Sequence, residues 1–529
     1  MKINNYKILL AGLILLIASC DKDFEEINRN PFAPTQTDIG PLFNTVVASL
    51  RLGWNEQFYV HNETLYGITQ QAAKTGVGFD NINIGIEEVW NGYYRGLAHI
   101  RELERRLDDM DVEPEALNNV RAQLKVLLAY KTFRLTDLFG DIPFFNAGKG
   151  FENLDYARPE FDSQEEVYKF LLEELQWVEE HINAAPEPTT ASGEKYVSFG
   201  DFDNLFYGDI WKWRKFANSL RLRHAMRMVE KDPAYATPII KDIIENNLPV
   251  IQSGEEVGMH PGQQDWRNEG VNWSFREHNK LRMGATIWHN LSENDNSDGS
   301  GIYDPRAFVF FEPNNANEWA PFPQIPEPGT PPSGGIPYER HRDNNYSIKG
   351  NANIYSPFNY YLIRDEVDIP EIILTAAEIG FIKAEAYFRG LGVAQDEGQA
   401  EAEYTLAVVN SLKFWQNLAA GSEIWSNAPP VLSEGELYAV VNHPRLSIFT
   451  TENKLELIYA QRWMDAFRQP WEAFALSRRV GATPREGEMP EYYRLTYPPS
   501  ETENNADHWA EQVARMGEDS QRVKVWWMK

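Results

Sequence analysis

Apolar residues recur at three- and four-residue spacing through most of the chain, which is the period of amphipathic helices. The spacing predicts helices over Asp38–Arg51, Asn55–Ala73, Glu87–Asp108, Pro114–Leu138, Ser163–Asn183, Asp209–Val229 and Tyr235–Asn246. After an irregular middle it predicts four more, over Glu371–Arg389, Ala400–Leu418, Leu446–Phe467 and Trp471–Arg478. Ser163 and Glu166 have the spacing of a capping box at the start of their helix. In Arg121–Phe145, Leu124, Leu127, Leu128, Leu135 and Leu138 share one side, while Ala122, Val126, Ala129, Tyr130 and Phe133 form a second. A helix apolar on two sides has to lie between neighbours, so this one is expected at the centre. Gly140 and Pro143 end it. Ala376, Ala377, Ala384 and Ala386 would let a partner helix approach the Glu371–Arg389 segment closely.

Helical periodicity lapses between Ser253 and Tyr361, and eight prolines between Glu312 and Pro337 exclude regular helix or central strand there. Binding residues concentrate on loops over a rigid scaffold. This stretch holds Trp266, Trp273, Trp288, Trp319 and Tyr303, interleaved with Asn272 and other Asn, Asp and Arg residues. Aromatic faces cover the apolar side of a sugar ring while amides and charged groups pair with its hydroxyls; the same mixture suits peptides. A second candidate is the loop Thr75–Asn83, with Phe79 and Asn81 as its contacts. Packing beneath its own loop competes with ligand contact for each of these tryptophans.

The first residues change the picture. Lys2 and Lys7, the apolar run Ile8–Ile17 and then small residues have the order of a secretory signal, and the run is too short to span a bilayer core of about 30 Å. Ile17-Ala18-Ser19-Cys20 resembles a bacterial lipobox, which makes Cys20, the sole cysteine, a candidate for lipidation. Acyl chains there would anchor the protein without a membrane-spanning helix. The formal charge is −28, and removing residues 1–19 makes it more negative by two. Nucleic acid is therefore not an expected partner.

No His-Glu-x-x-His, paired-cysteine site, Gly-x-Ser-x-Gly elbow or phosphate-cradling glycine loop occurs, and no cofactor is expected. Asn294, Asn296, Asp298 and Gly299 resemble half of a calcium loop, but Pro305 stands where the closing carboxylate belongs, so no metal is expected. A glycosidase needs only two carboxylates, which 78 acids neither support nor exclude.

Four segments carry a family resemblance. Phe24–Pro34 (FEEINRNPFAP), Arg121–Phe145 with its Phe-Gly-Asp-Ile-Pro exit, and Gly208–Arg227 (GDIWKWRKFANSLRLRHAMR) come in order. The fourth is the carboxy-terminal set Arg462–Phe467, Trp471–Phe474, Tyr493–Pro498 and Arg522–Trp527. Together they resemble the SusD/RagB family of outer-membrane nutrient-binding lipoproteins, in its second subfamily. Gln469-Pro470 and Val480-Gly481-Ala482 depart from the usual pattern. The resemblance implies a mainly α, SusD-like fold of tetratricopeptide-like helix pairs with an irregular, loop-rich ligand-binding lobe. On that reading 1–19 is the signal peptide, 20–36 a lipidated tether and 37–529 one domain, with scaffold 37–252 and 362–529 and lobe 253–361. It also implies a non-enzymatic surface protein of the outer membrane that captures an oligosaccharide for a SusC-like TonB-dependent transporter. Oligopeptide capture and surface glycoside hydrolysis are the alternatives. Within the matched helix, Trp211, Trp213, Phe216, Leu220 and Leu222 are expected as core and interface residues, and Arg221, Arg223 and Arg227 to pair with buried carboxylates.

Overall fold

The structure is a computed structural model and describes residues 39–76, 81–259, 281–331, 354–363 and 369–529. The chain begins with α1 (Ile39–Ala48) and a π-helix, Glu56–Leu65, that tightens into one α-turn, Tyr66–Thr69. After β1 (Ala73–Lys74) come α2 (Ile82–Asp108), α3 (Asn118–Phe139), α4 (Gln164–His181), α5 (Ile210–Met228) and α6 (Pro233–Glu245). The middle contributes β2 (Val257–Met259), β3 (Leu281–Arg282), α7 (Ala285–Trp288) and α8 (Ala307–Phe310). The last part holds β4 (Glu371–Leu374), α9 (Ala376–Arg389), α10 (Glu397–Ala420), α11 (Glu434–Val441) and α12 (Lys454–Asp465). It closes with α13 (Pro470–Val480), α14 (Pro499–Asn504) and α15 (Ala506–Met516).

The two-sided helix is central, as its pattern requires. α3 packs against α2, α4 and α5, and burial reaches nearly all round it. It stops at Gly140, whose φ of 82° suits glycine. Its buried Asp137 accepts hydrogen bonds from Arg227, from Tyr168 and, at 2.8 Å, from Trp527 Nε1, which ties the chain's end to its centre. Arg223 and Arg227 find the buried carboxylates expected of them, whereas the partner of Arg221, Asp242, is 39% exposed. Arg221 reaches Asp242 at 3.0 Å, Arg223 Nε reaches Glu378 Oε1 at 3.0 Å, and Arg227 bridges Asp137 and Glu472. Trp213, Phe216, Leu220 and Leu222 are core residues. Trp211 is not: it sits in the first turn of α5, 43% exposed, with the Arg214 guanidinium over its ring.

α9 separates two apolar cores. Ala376 and Ala386 belong to one, shared with α1–α6, while Ala377 and Ala384 belong to the other, shared with α10, α12 and the lobe. Gly380 lets α10 approach so closely that a Cβ there would stand 2.8 Å from Ala407 Cβ. The expectation of one helix over Glu371–Arg389 fails at its start, because Glu371–Leu374 is a strand paired antiparallel with β2. Ile372-Ile373-Leu374 is a short buried apolar run, which periodicity cannot assign. Thr375 then caps α9, its hydroxyl accepting from the Glu378 N–H at 3.1 Å. The segment expected to start a helix at Leu446 becomes helical only at Lys454, and α11, opened by the Ser433–Glu436 capping box, and α15 lie outside the expected set.

Candidate functional site

β1 and β3 form a two-residue antiparallel ladder, Ala73 opposite Arg282 and Lys74 opposite Leu281. Antiparallel pairing sets the exit from β1 beside the entry to β3. The chain leaves Lys74 toward Phe79 and reaches Leu281 from the stretch with Trp266, Asn272 and Trp273, so both candidate loops are rooted at one end of one ladder. Those four side chains lie outside the described residues. Asn81, on the far side of the Phe79 loop, is exposed at the start of α2, and its side chain makes no capping bond.

Of the remaining lobe candidates, Trp288 and Trp319 are buried. Trp288 is 0% exposed and donates Nε1–H to Asp295 Oδ1 at 3.1 Å, and its ring stacks on Trp319, itself 6% exposed, at 5.8 Å. Both tryptophans therefore fill the lobe interior and cannot offer a face to a ligand. They join Met283, Ile287, Leu291, Val309, Phe310 and Phe311 in the lobe's buried apolar cluster, where large indole rings gain most by leaving water. Tyr303 is half-buried, and the His443 imidazole lies parallel to its ring at 4.6 Å. Burial pushes its hydroxyl's pKa well up. In the exposed loop Asn294–Gly299 two side chains bond to the loop's own backbone: Asn294 Oδ1 accepts from Asn296 N at 3.0 Å and Asp298 Oδ1 from Ser300 N at 2.8 Å.

Beside the ladder runs a polar seam that composition did not mark. Gln70, in the left-handed conformation at φ 58°, accepts from the Thr286 hydroxyl at 2.6 Å and the Glu486 N–H at 2.7 Å. Gln324 Nε2 donates to Ala72 O at 3.2 Å, and its Oε1 is buried without a partner among the described residues. Arg485 donates Nη2–H to Ile68 O at 2.7 Å, while its buried Nε and Nη1 have no partner among the described residues. The two turns carrying these groups touch, since a Cβ on Gly487 would meet Ile325 Cδ1 at 2.8 Å. An unpaired buried donor or acceptor costs about 1–3 kcal/mol, so such groups are natural partners for a hydroxyl-rich ligand. The sequence signal for them was absent, because Gln70, Gln324 and Arg485 are distant in the chain and belong to no motif.

The sequence model of a family described as SusD-like, starch-binding and associating with the outer membrane matches residues 31–498. The chain belongs to the SusD-like family. Solved structures agree with the fold of this SusD-like protein. A chitin-binding protein is similar at 23% identity and TM-score 0.70, over 93% of this chain and 100% of that one. A SusD homologue from Parabacteroides distasonis is similar at 19% and 0.69, over 93% and 98%. A chitin-binding SusD homologue from Flavobacterium johnsoniae is similar at 20% and 0.62, over 92% and 98%. No curated protein matches the SusD-like sequence. Among its described residues no helix is long and apolar enough to cross a membrane.

Proposed function

We propose that this SusD-like protein captures an oligosaccharide at the outer membrane surface, held there by lipid on Cys20, and passes it intact to a SusC-like TonB-dependent transporter. The observation that carries the reading is the β1–β3 ladder, which roots two loops rich in aromatic and amide side chains at one edge of a rigid helical body. Trp266, Trp273 and Phe79 would stack on sugar rings, while Asn81, Asn272 and the unpaired groups of Gln324 and Arg485 would select hydroxyls. The chitin-binding activity named for two of the similar structures supports a glycan as the ligand class. Two of the buried carboxylates are committed to structural ion pairs. Glu472 is taken up by Arg223 and Arg227, and Glu385 by Arg479 and Arg389, all within the scaffold.

Single alanine substitutions test the reading. Trp266→Ala or Trp273→Ala is expected to weaken oligosaccharide binding at least about tenfold, the scale of an interface hot spot, without shifting the thermal midpoint. Trp288→Ala is expected to do the reverse, lowering stability by about 3–5 kcal/mol. Calorimetry and thermal melts on the same samples separate the two. Unchanged affinity in both single variants and in the Trp266/Trp273 double variant would contradict the site.

A further inference from the structure

A separate cavity of about 480 Å³ opens on the scaffold between the turn after α1, the π-helix, α2 and α3. Its walls include four cations, Arg51, Arg95, Lys131 and Arg134, against two carboxylates, Glu56 and Glu88, in a chain whose formal charge is −28. Both carboxylates are already engaged. Glu56 pairs with Arg134, and Glu88 accepts from the Glu56 N–H at 2.8 Å and from Asn55 at 3.3 Å. Three of the cations have no carboxylate partner among the described residues. Lys131 has one bond, to the Ser49 carbonyl at 2.6 Å, and Arg51 and Arg95 make none among the described residues. Gly96 leaves the space that Lys131 occupies, for a Cβ there would meet Lys131 Cε at 2.7 Å. Burial and the adjacent Arg134 push the Lys131 ammonium down to about 7, against the weaker pull of Glu56 and Glu371. The wall is thus short of negative charge in a protein rich in it.

The geometry points to a second ligand site, for a uronate: a sugar whose carboxylate is taken by Lys131, Arg51 and Arg95 and whose ring lies under the partly exposed indole of Trp54. The volume falls within the range of about 300–1,000 Å³ typical of small-molecule sites, far more than a bare inorganic anion fills. Trp54, 37% exposed and stacked on Phe58 at 5.6 Å, supplies a fixed apolar face at the same cavity. Nothing in this inference depends on the ladder site, and the ligand differs from a neutral oligosaccharide by its charge.

The test is calorimetry of the mature chain with sodium D-glucuronate, D-glucose and sodium sulfate, repeated with Lys131→Met and with the Arg51→Gln/Arg95→Gln double variant. Glucuronate is expected to bind saturably, with glucose silent and sulfate weaker. Lys131→Met should weaken glucuronate about tenfold or more, and the double variant should weaken it and flatten its salt dependence. Both arginines are exposed, so the double variant keeps its fold, which a thermal melt verifies. Neutral oligosaccharide binding should be the same in wild type and both variants, which keeps a failure here distinct from a failure of the ladder site. Silent glucuronate, sulfate binding as tightly as glucuronate, or affinity unchanged in both variants overturns the assignment.

Discussion

Replacing Glu472 with glutamine is expected to lower the free energy of unfolding by about 3–5 kcal/mol, the cost of breaking a buried ion pair by removing one partner. Glu472 on α13 faces Arg227 and, at 3.5 Å, Arg223, both buried on α5. Arg223 keeps Glu378 and Arg227 keeps Asp137 in the variant, yet two guanidinium groups then share less negative charge than they need. Burial alone would raise the Glu472 pKa, but Arg223, Arg227 and Arg462 outweigh it and hold the carboxyl well below the usual range. The sign for pH follows directly. The unfolded chain takes up the proton first, near pH 4.3, so the stabilisation is complete above that value and is lost as pH falls through the lower folded value. Denaturant titrations at pH 7 and along a series from 5 to 3 should show a large loss at neutral pH in Glu472→Gln and a shallower acid slope than wild type. An unchanged midpoint at pH 7 would contradict this account of the network.

Arg306→Ala is expected to loosen the lobe selectively. The Arg306 side chain, fully buried, donates to Asp304 through Nε at 3.0 Å and Nη2 at 2.6 Å, and to Ser411 on α10 at 2.9 Å and Gln461 on α12. It stitches the lobe to the second scaffold core. Removing it leaves the Asp304 carboxylate at 0% exposure without its cation, a loss of about 3–5 kcal/mol. Because the broken bonds join lobe to scaffold, hydrogen exchange should accelerate across 285–325 while α3 stays protected, and oligosaccharide affinity should fall with it. Asp304→Leu combined with Arg306→Met should recover most of the stability, since both charges leave together. Uniform acceleration, or none, would contradict the role given to Arg306.

The helices were legible because each must bury a face, and a face has a period. α3 shows this best: two apolar sides in the sequence became a helix packed on three others. β4 was not legible, since four residues carry no period and its pairing with Val257–Met259 spans more than a hundred positions. The same limit hid the ladder that roots the candidate loops, because nothing near Ala73 signals Arg282. Composition pointed to an aromatic lobe but could not separate ring faces from core, and Trp288 and Trp319 proved to be core. The unpaired groups of Gln324 and Arg485 had no signature at all, for an orphaned atom is defined by what surrounds it in space.

The central claim is capture of an intact oligosaccharide, and calorimetry tests it most directly. The chain from Asp21 onward would be titrated with a panel of oligosaccharides, chitin fragments among them, and with tryptic peptides, and the recovered ligands weighed by mass spectrometry. The account expects saturable heat with at least one oligosaccharide and recovery of that ligand at its starting mass. Silence across the oligosaccharides, heat with peptides alone, or shortened sugars in the recovered sample would contradict it.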